Sequence, residues 1–183
     1  MKMIAGDLTT KLCEKSVSIT EFNNVGDERK YVTRPLLEKH ILQVSEQSLK
    51  NKGGDYTIIV GAKGAGKTFA VARVLREKKG VVALLVSDKD TRETIISQLI
   101  KECELVVKEG FDIVLKDFGP VLLKAAEIRG GRPITIVFEV ERSSSSSSAV
   151  LLLIKNFAKY LAVYASVIIV LSEANAGLVF QND

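Results

Sequence analysis

The chain has 183 residues, 26 Lys+Arg against 22 Asp+Glu, a net charge of +4 and 46% apolar residues, with one His, two Cys and no Trp. That length and apolar share suit one α/β-sized domain with its own core, and exclude a disordered chain or a multidomain machine. So mild a charge balance does not call for nucleic acid or an acidic membrane as partner.

Residues 1–30 carry weak periodicity and the turn formers Asn23, Asn24, Gly26 and Asp27, and are read as an ill-defined lead-in to a domain over 31–183. Lys2, Asp7, Lys11, Glu14 and Lys15 interrupt the start, so no secretory signal is visible. Cys13 and Cys103 fit no CxxC or zinc spacing and read as reduced structural thiols. The longest apolar runs, Val81–Val86, Ala149–Ile154 and Ser166–Leu171, fall far short of a membrane span. An intracellular protein, cytoplasmic or nuclear, is expected.

From Pro35 the pattern turns helical: Leu36, Leu37, His40, Ile41, Val44 and Leu49 recur at three-to-four spacing until Asn51, Gly53 and Gly54 stop it. His40 is expected to pack. Strand-like blocks then alternate with helical ones. Tyr56–Val60 is a strand, Lys67–Lys79 a helix, Val81–Val86 a strand, and Thr91–Val107 a helix with Asp90 or Thr91 as N-cap. Asp117–Arg129 is a helix ended by Gly130, Gly131 and Pro133, and Ile134–Val140 is a strand. After the serine run Ser143–Ser148, read as a surface loop, come a helix over Ala149–Tyr164 and a strand over Ser166–Leu171. The alternation implies right-handed βαβ units, so the expected fold is α/β: a doubly wound, mostly parallel sheet in a three-layer sandwich. Ligands of such sheets gather at the carboxyl ends of the strands.

One of those strand ends carries a motif. Gly61-Ala62-Lys63-Gly64-Ala65-Gly66-Lys67-Thr68 fits G-x-x-x-x-G-K-[ST] at every fixed position, between a strand and a helix, and Phe69 follows it. Chance supplies such a match on the order of once in a hundred chains of this length. Glycines let the backbone curl its N–H groups toward phosphate oxygens, and the helix behind adds the positive end of its dipole. Lys67 belongs between the β- and γ-phosphates, and the Thr68 hydroxyl belongs to a magnesium shell.

Hydrolysis needs an acid at the end of another strand. Glu139 closes the apolar run from Ile134 and is read as the Walker-B acid and metal-directing residue, with Thr68. Glu141 lies two positions on, hence on the same side if the strand continues, and is kept as second carboxylate or base. The usual order is a metal-directing Asp followed directly by a catalytic Glu, whereas here Val140 separates the two acids. Ser172 and Asn175, after the last strand, are candidates for the γ-phosphate or the lytic water if that strand lies between those of Val60 and Glu139. A cap or turn explains them about as well.

Tyr31-Val32-Thr33-Arg34-Pro35-Leu36-Leu37-Glu38, then a helix, then Thr57 to Thr68, resembles the opening of AAA+/STAND-type ATPases. There an apolar-x-Arg-x-x-x-Glu segment lines the adenine side, which would place Arg34 at the nucleotide. Thr135 to Arg142 with Leu171 to Asn175 more narrowly resembles the P-loop ATPase module of Crinkler-type effectors and retrotransposon hot spot proteins. The resemblance implies an ASCE-like P-loop NTPase fold, ATP and Mg2+ as cofactors, ATP and ADP as ligands, and a homo-oligomer or partner domain as the element driven. No Crinkler header, nuclease-like domain or helical lid is visible, and the chain is expected to be part of a longer one. Arg129, Arg132 and Arg142 are candidate arginine fingers toward a neighbour, with surface arginines as the plainer reading.

Asn51-Lys52-Gly53-Gly54-Asp55 precedes the loop at the wrong spacing for a guanine-reading element. The cluster Arg76, Lys78 and Lys79 reads as a helix end rather than a nucleic-acid stripe. Two functions are carried forward: ATP hydrolysis, and a nucleotide-dependent switch or scaffold with little turnover. A small-molecule kinase is third.

Overall fold

Strands rich in Val and Ile and apolar on both faces belong inside a parallel sheet, and the chain builds one. The computed structural model describes residues 13, 32–47, 54–105, 114–140, 148–171 and 180. Strands β1 (Thr57–Val60), β2 (Val81–Val86), β3 (Thr135–Val140) and β4 (Ser166–Leu171) form a four-stranded sheet in the order β1-β4-β3-β2. Every pairing is parallel, with Val60 opposite Leu171 and Glu139 opposite Val170. Helices α1 (Pro35–Glu46), α2 (Lys67–Leu75), α3 (Arg92–Glu102), α4 (Phe118–Ile128) and α5 (Ser148–Ala162) cover it.

Strand order fixes the layers. The chain leaves β1, passes over β4 and β3 to reach β2, then returns by single steps. Right-handed crossovers therefore put α2 on one face and α3, α4 and α5 on the other. The core divides in the same way. Ile59, Val137, Ile168 and Val170 meet Ile41 and Val44 of α1 and Ala70, Val71 and Leu75 of α2. On the opposite face Val82, Leu84, Phe138, Val167 and Ile169 meet Ile95 and Leu99 of α3, Leu122 of α4, and Phe157 and Leu161 of α5. The doubly wound three-layer arrangement expected from the sequence is present.

Long-range polar contacts lock this arrangement at the amino ends of the strands. The buried Ser166 hydroxyl, at the start of β4, donates to the Val44 carbonyl at 2.8 Å. Arg129 donates to the carbonyls of Lys79 (2.5 Å), Arg132 (3.4 Å) and Pro133, bracing the segments that lead into β2 and β3. Arg129 and Arg132 thus stand at the end of the sheet opposite the glycine loop, where Arg129 has a bracing role. Arg142 lies outside the described residues.

Helix boundaries depart from the sequence reading. Helix α1 stops at Glu46, because Gln47 is extended at ψ 124°; Leu49 and Asn51 lie outside the described residues. It buries Ile41 and Val44 with Leu37 packed beside them, while Leu36 is 85% exposed. Successive helical residues turn about 100°, so a stripe through Leu37 and Ile41 leaves Leu36 off the core. His40 is exposed on this helix, not packed. Helix α3 is capped by Thr91, whose hydroxyl accepts from the Thr94 amide at 3.4 Å while Thr94 Oγ1 accepts from the Thr91 amide at 2.9 Å. It ends short of Val107, because Glu104 adopts φ 52°. The amides of Glu104 and Leu105 then close on the carbonyls of Lys101 and Ile100, a Schellman ending that normally uses glycine. Helix α4 ends in the same way at Gly130 and Gly131, as their sequence positions predict.

Cys13 and Cys103 are buried and form no disulfide among the described residues, and the Cys13 thiol donates to the Ala125 carbonyl at 3.4 Å. Among the described residues no helix is long and apolar enough to cross a membrane.

Candidate functional site

Strand β1 delivers the chain to Gly61 at the carboxyl edge of the sheet, and the motif turns there. Gly64 takes φ 79° and Gly66 φ 78°, in the left-handed region where a side chain adds strain. Gly66 is the N-cap of α2, so Lys67 and Thr68 are its first two residues. Within the loop the Ala65 amide donates to the Ala62 carbonyl at 3.2 Å. The amides of Gly66, Lys67 and Thr68 have no acceptor among the described residues. These are the donors that every helix start leaves open, and they sit at the positive end of the α2 dipole.

The Lys67 side chain folds back across the loop. It is only 7% exposed, and its Nζ donates to the carbonyls of Gly61 at 2.6 Å and Ala62 at 2.9 Å. An ammonium has three N–H donors, so one remains for a ligand. Burial holds the Lys67 pKa below the usual lysine value, opposed by the Glu139 carboxylate.

Glu139 reaches the same place from β3. Thr68 Oγ1 donates to Glu139 Oε1 at 2.8 Å, joining the first turn of α2 to the acid. Burial raises the Glu139 pKa, against the pull of the Thr68 hydroxyl and the Lys67 charge. A hydroxyl and a carboxylate side by side are hard oxygen donors of the kind magnesium takes, so Thr68 and Glu139 fit such an ion. Neighbours on a strand face opposite ways: Glu139 faces the α2 layer, whereas Val140 is 6% exposed and packs in the layer of α3, α4 and α5.

The remaining sequence candidates divide. Lys63 is exposed at the loop crest and Phe69 is buried in α2. Arg34 stands exposed before α1, its amide donating to Glu38 Oε1 at 3.1 Å, and no contact joins it to the loop among the described residues. The Glu38 carboxylate in turn lies 3.9 Å from the Arg73 guanidinium on α2. Strand β4 does lie between β1 and β3, the condition set for Ser172 and Asn175. Those two residues and Glu141 lie outside the described residues. The sequence supplied both Thr68 and Glu139 but not their contact, which depends on a strand order that no local signal carries.

No protein-family model and no curated protein matches the chain. Among solved structures it is similar to the DnaC helicase loader, with 18% identity and a TM-score of 0.40 over 87% of this chain and 89% of that one. That likeness is too distant to carry a functional conclusion.

Proposed function

We propose that this chain is a P-loop module that binds ATP with Mg2+ between Gly61 and Thr68 and hydrolyses it. The observation that carries the reading is the meeting of three side chains at one point. Lys67 is held on two loop carbonyls with a donor to spare, and the Thr68 hydroxyl is bonded to the half-buried Glu139. Open amides at the start of α2 supply the phosphate cradle. Thr68 and Glu139 would hold the magnesium ion, which when bound neutralises charge on the β- and γ-phosphate oxygens. Lys67 adds a fixed positive charge in a site with little water. Glu141 is proposed to take the proton of the attacking water, and Ser172 or Asn175 to orient it, from the end of β4. Arg34 is proposed for the adenine side, on the strength of the AAA+/STAND resemblance. An effector or regulatory setting of the Crinkler kind, ADP as product, and a homo-oligomer or partner domain as the driven element belong to that same proposal.

A second reading has one observation in its favour. The residue directly after Glu139 is Val140, turned into the far core layer, so the position that usually carries the catalytic Glu is apolar. On this reading the module is a nucleotide-dependent switch with little turnover.

Titration with labelled ATP and GTP in magnesium, together with phosphate release, separates the readings. Saturable binding lost in Lys67→Ala supports a nucleotide site. Turnover abolished by Glu139→Gln or Glu141→Gln with binding retained supports the ATPase, and binding without turnover in the wild type supports the switch. Absence of saturable binding by folded protein overturns both.

A further inference from the structure

The loop carries two lysines, and only one of them is held. Lys67 is buried with its ammonium on the Gly61 and Ala62 carbonyls. Lys63 is exposed, and its ammonium has no hydrogen bond or ion pair among the described residues. Covalent geometry limits the distance between them. The Ala62 carbonyl that accepts from Lys67 Nζ at 2.9 Å belongs to the same planar peptide unit as the Lys63 Cα. That Cα therefore lies within about 6 Å of the Lys67 ammonium, a gap that a lysine's four-carbon stem can span. Among the described residues nothing crowds the crest: Ala62 is exposed, and no atom lies within 4 Å of where a Gly64 Cβ would stand.

A Lys63 ammonium brought across that gap would be repelled by Lys67 alone, and a polyanion placed between the two reverses the sign of the interaction. The motif sets Lys67 at the junction of the β- and γ-phosphates. In such a loop the amides cradle the α- and β-phosphates, which would leave the terminal phosphate open to a second cation from the solvent side. Arg129 and Arg132, the described arginines considered as fingers, stand at the other end of the sheet. We propose that Lys63 is a specificity-determining residue that swings onto the terminal phosphate of a bound nucleoside triphosphate, making the loop prefer triphosphate over diphosphate. This inference rests on the nucleotide reading above.

Binding of ATP and of ADP, each in excess magnesium, is measured for the wild type, Lys63→Met, Lys63→Gln, Lys63→Arg and Lys67→Ala, with thermal unfolding to confirm the fold of each. An exposed charge contact is weak, so both neutral variants are expected to lose about five- to tenfold in ATP affinity and less than about twofold in ADP affinity. Lys63→Arg restores the preference, and added salt erases it. Equal weakening of both nucleotides, or an unchanged ATP-to-ADP ratio while Lys67→Ala still abolishes binding, overturns the role of Lys63 and leaves the nucleotide site standing. Failure of the wild type to bind either nucleotide overturns the site, and the role of Lys63 with it.

Discussion

Across 71 residues of chain, the Thr68 hydroxyl meets the Glu139 carboxylate at 2.8 Å. The contact follows from topology: α2 rises from β1 and lies over the sheet on the face toward which Glu139 points from β3. If this oxygen pair holds magnesium, its loss will be felt only when the ion is present. Thr68→Ala is expected to weaken ATP binding about tenfold in magnesium and little in EDTA, with Thr68→Ser restoring the difference. Parallel titrations in the two buffers check it.

Glu139 and Lys67 are both held away from their ordinary pKa values, each in the direction that disfavours its charge. For Glu139 the folded value lies above the unfolded one, so the folded state holds the proton more tightly. Its contribution to stability is fully present below the unfolded pKa and is lost as pH rises through the folded value. For Lys67 the folded value lies below the unfolded one, so its cost is present at neutral pH and lifts only as pH climbs toward the ordinary lysine range. A polyphosphate beside Lys67 and a divalent ion beside Glu139 would each favour the charged form that burial disfavours. Glu139→Gln keeps an acceptor for Thr68 and removes the half-buried charge. It is expected to melt higher than wild type at pH 7 without nucleotide, by a margin that shrinks as pH falls through the carboxylate range. Thermal unfolding of both proteins across that range checks it.

How much of this was legible in the sequence depended on how local the signal was. The strands Val81–Val86 and Ser166–Leu171 fall where the apolar runs place them, because a strand buried on both faces needs no register information from outside. The glycine loop was legible because its backbone conformation demands particular residues at Gly64 and Gly66. Helix ends were less so. Glu104 carries no breaker signature, yet it turns left-handed to let Leu105 reach the core. Arg129 shows the limit most plainly: as a sequence residue it was a surface arginine or a finger, and its partners on Lys79, fifty positions away, exist only after β2 and β3 have paired.

Glu104 gives a test of that ending. A non-glycine residue in the left-handed region costs about 1–2 kcal/mol, and glycine removes most of the cost while loosening the unfolded chain. Glu104→Gly is therefore expected to stabilise the protein by about 0.5–1 kcal/mol, with nucleotide binding unchanged. Urea unfolding with an unaltered slope checks it.

Gly80 and Arg129 form the counterpart to the site at the far end of the sheet. Gly80 sits at φ 72°, and a Cβ there would stand 2.6 Å from the Arg129 guanidinium carbon. Gly80→Ala thus imposes left-handed strain and pushes Arg129 off the carbonyls of Lys79 and Pro133. Left-handed strain alone costs on the order of 1–3 kcal/mol. Arg129→Met removes the donor from the same two carbonyls, exposed at Lys79 and partly buried at Pro133, at about 1–3 kcal/mol for each that water does not reach. The two changes share one set of contacts, so the double variant should lose less than the sum of the single losses. A double-mutant cycle by urea unfolding measures that deficit. Full additivity would mean that Gly80 acts through its backbone alone and that Arg129 can move aside freely. Because the brace lies at the amino ends of β2 and β3, the folded fraction of each variant should bind ATP as the wild type does.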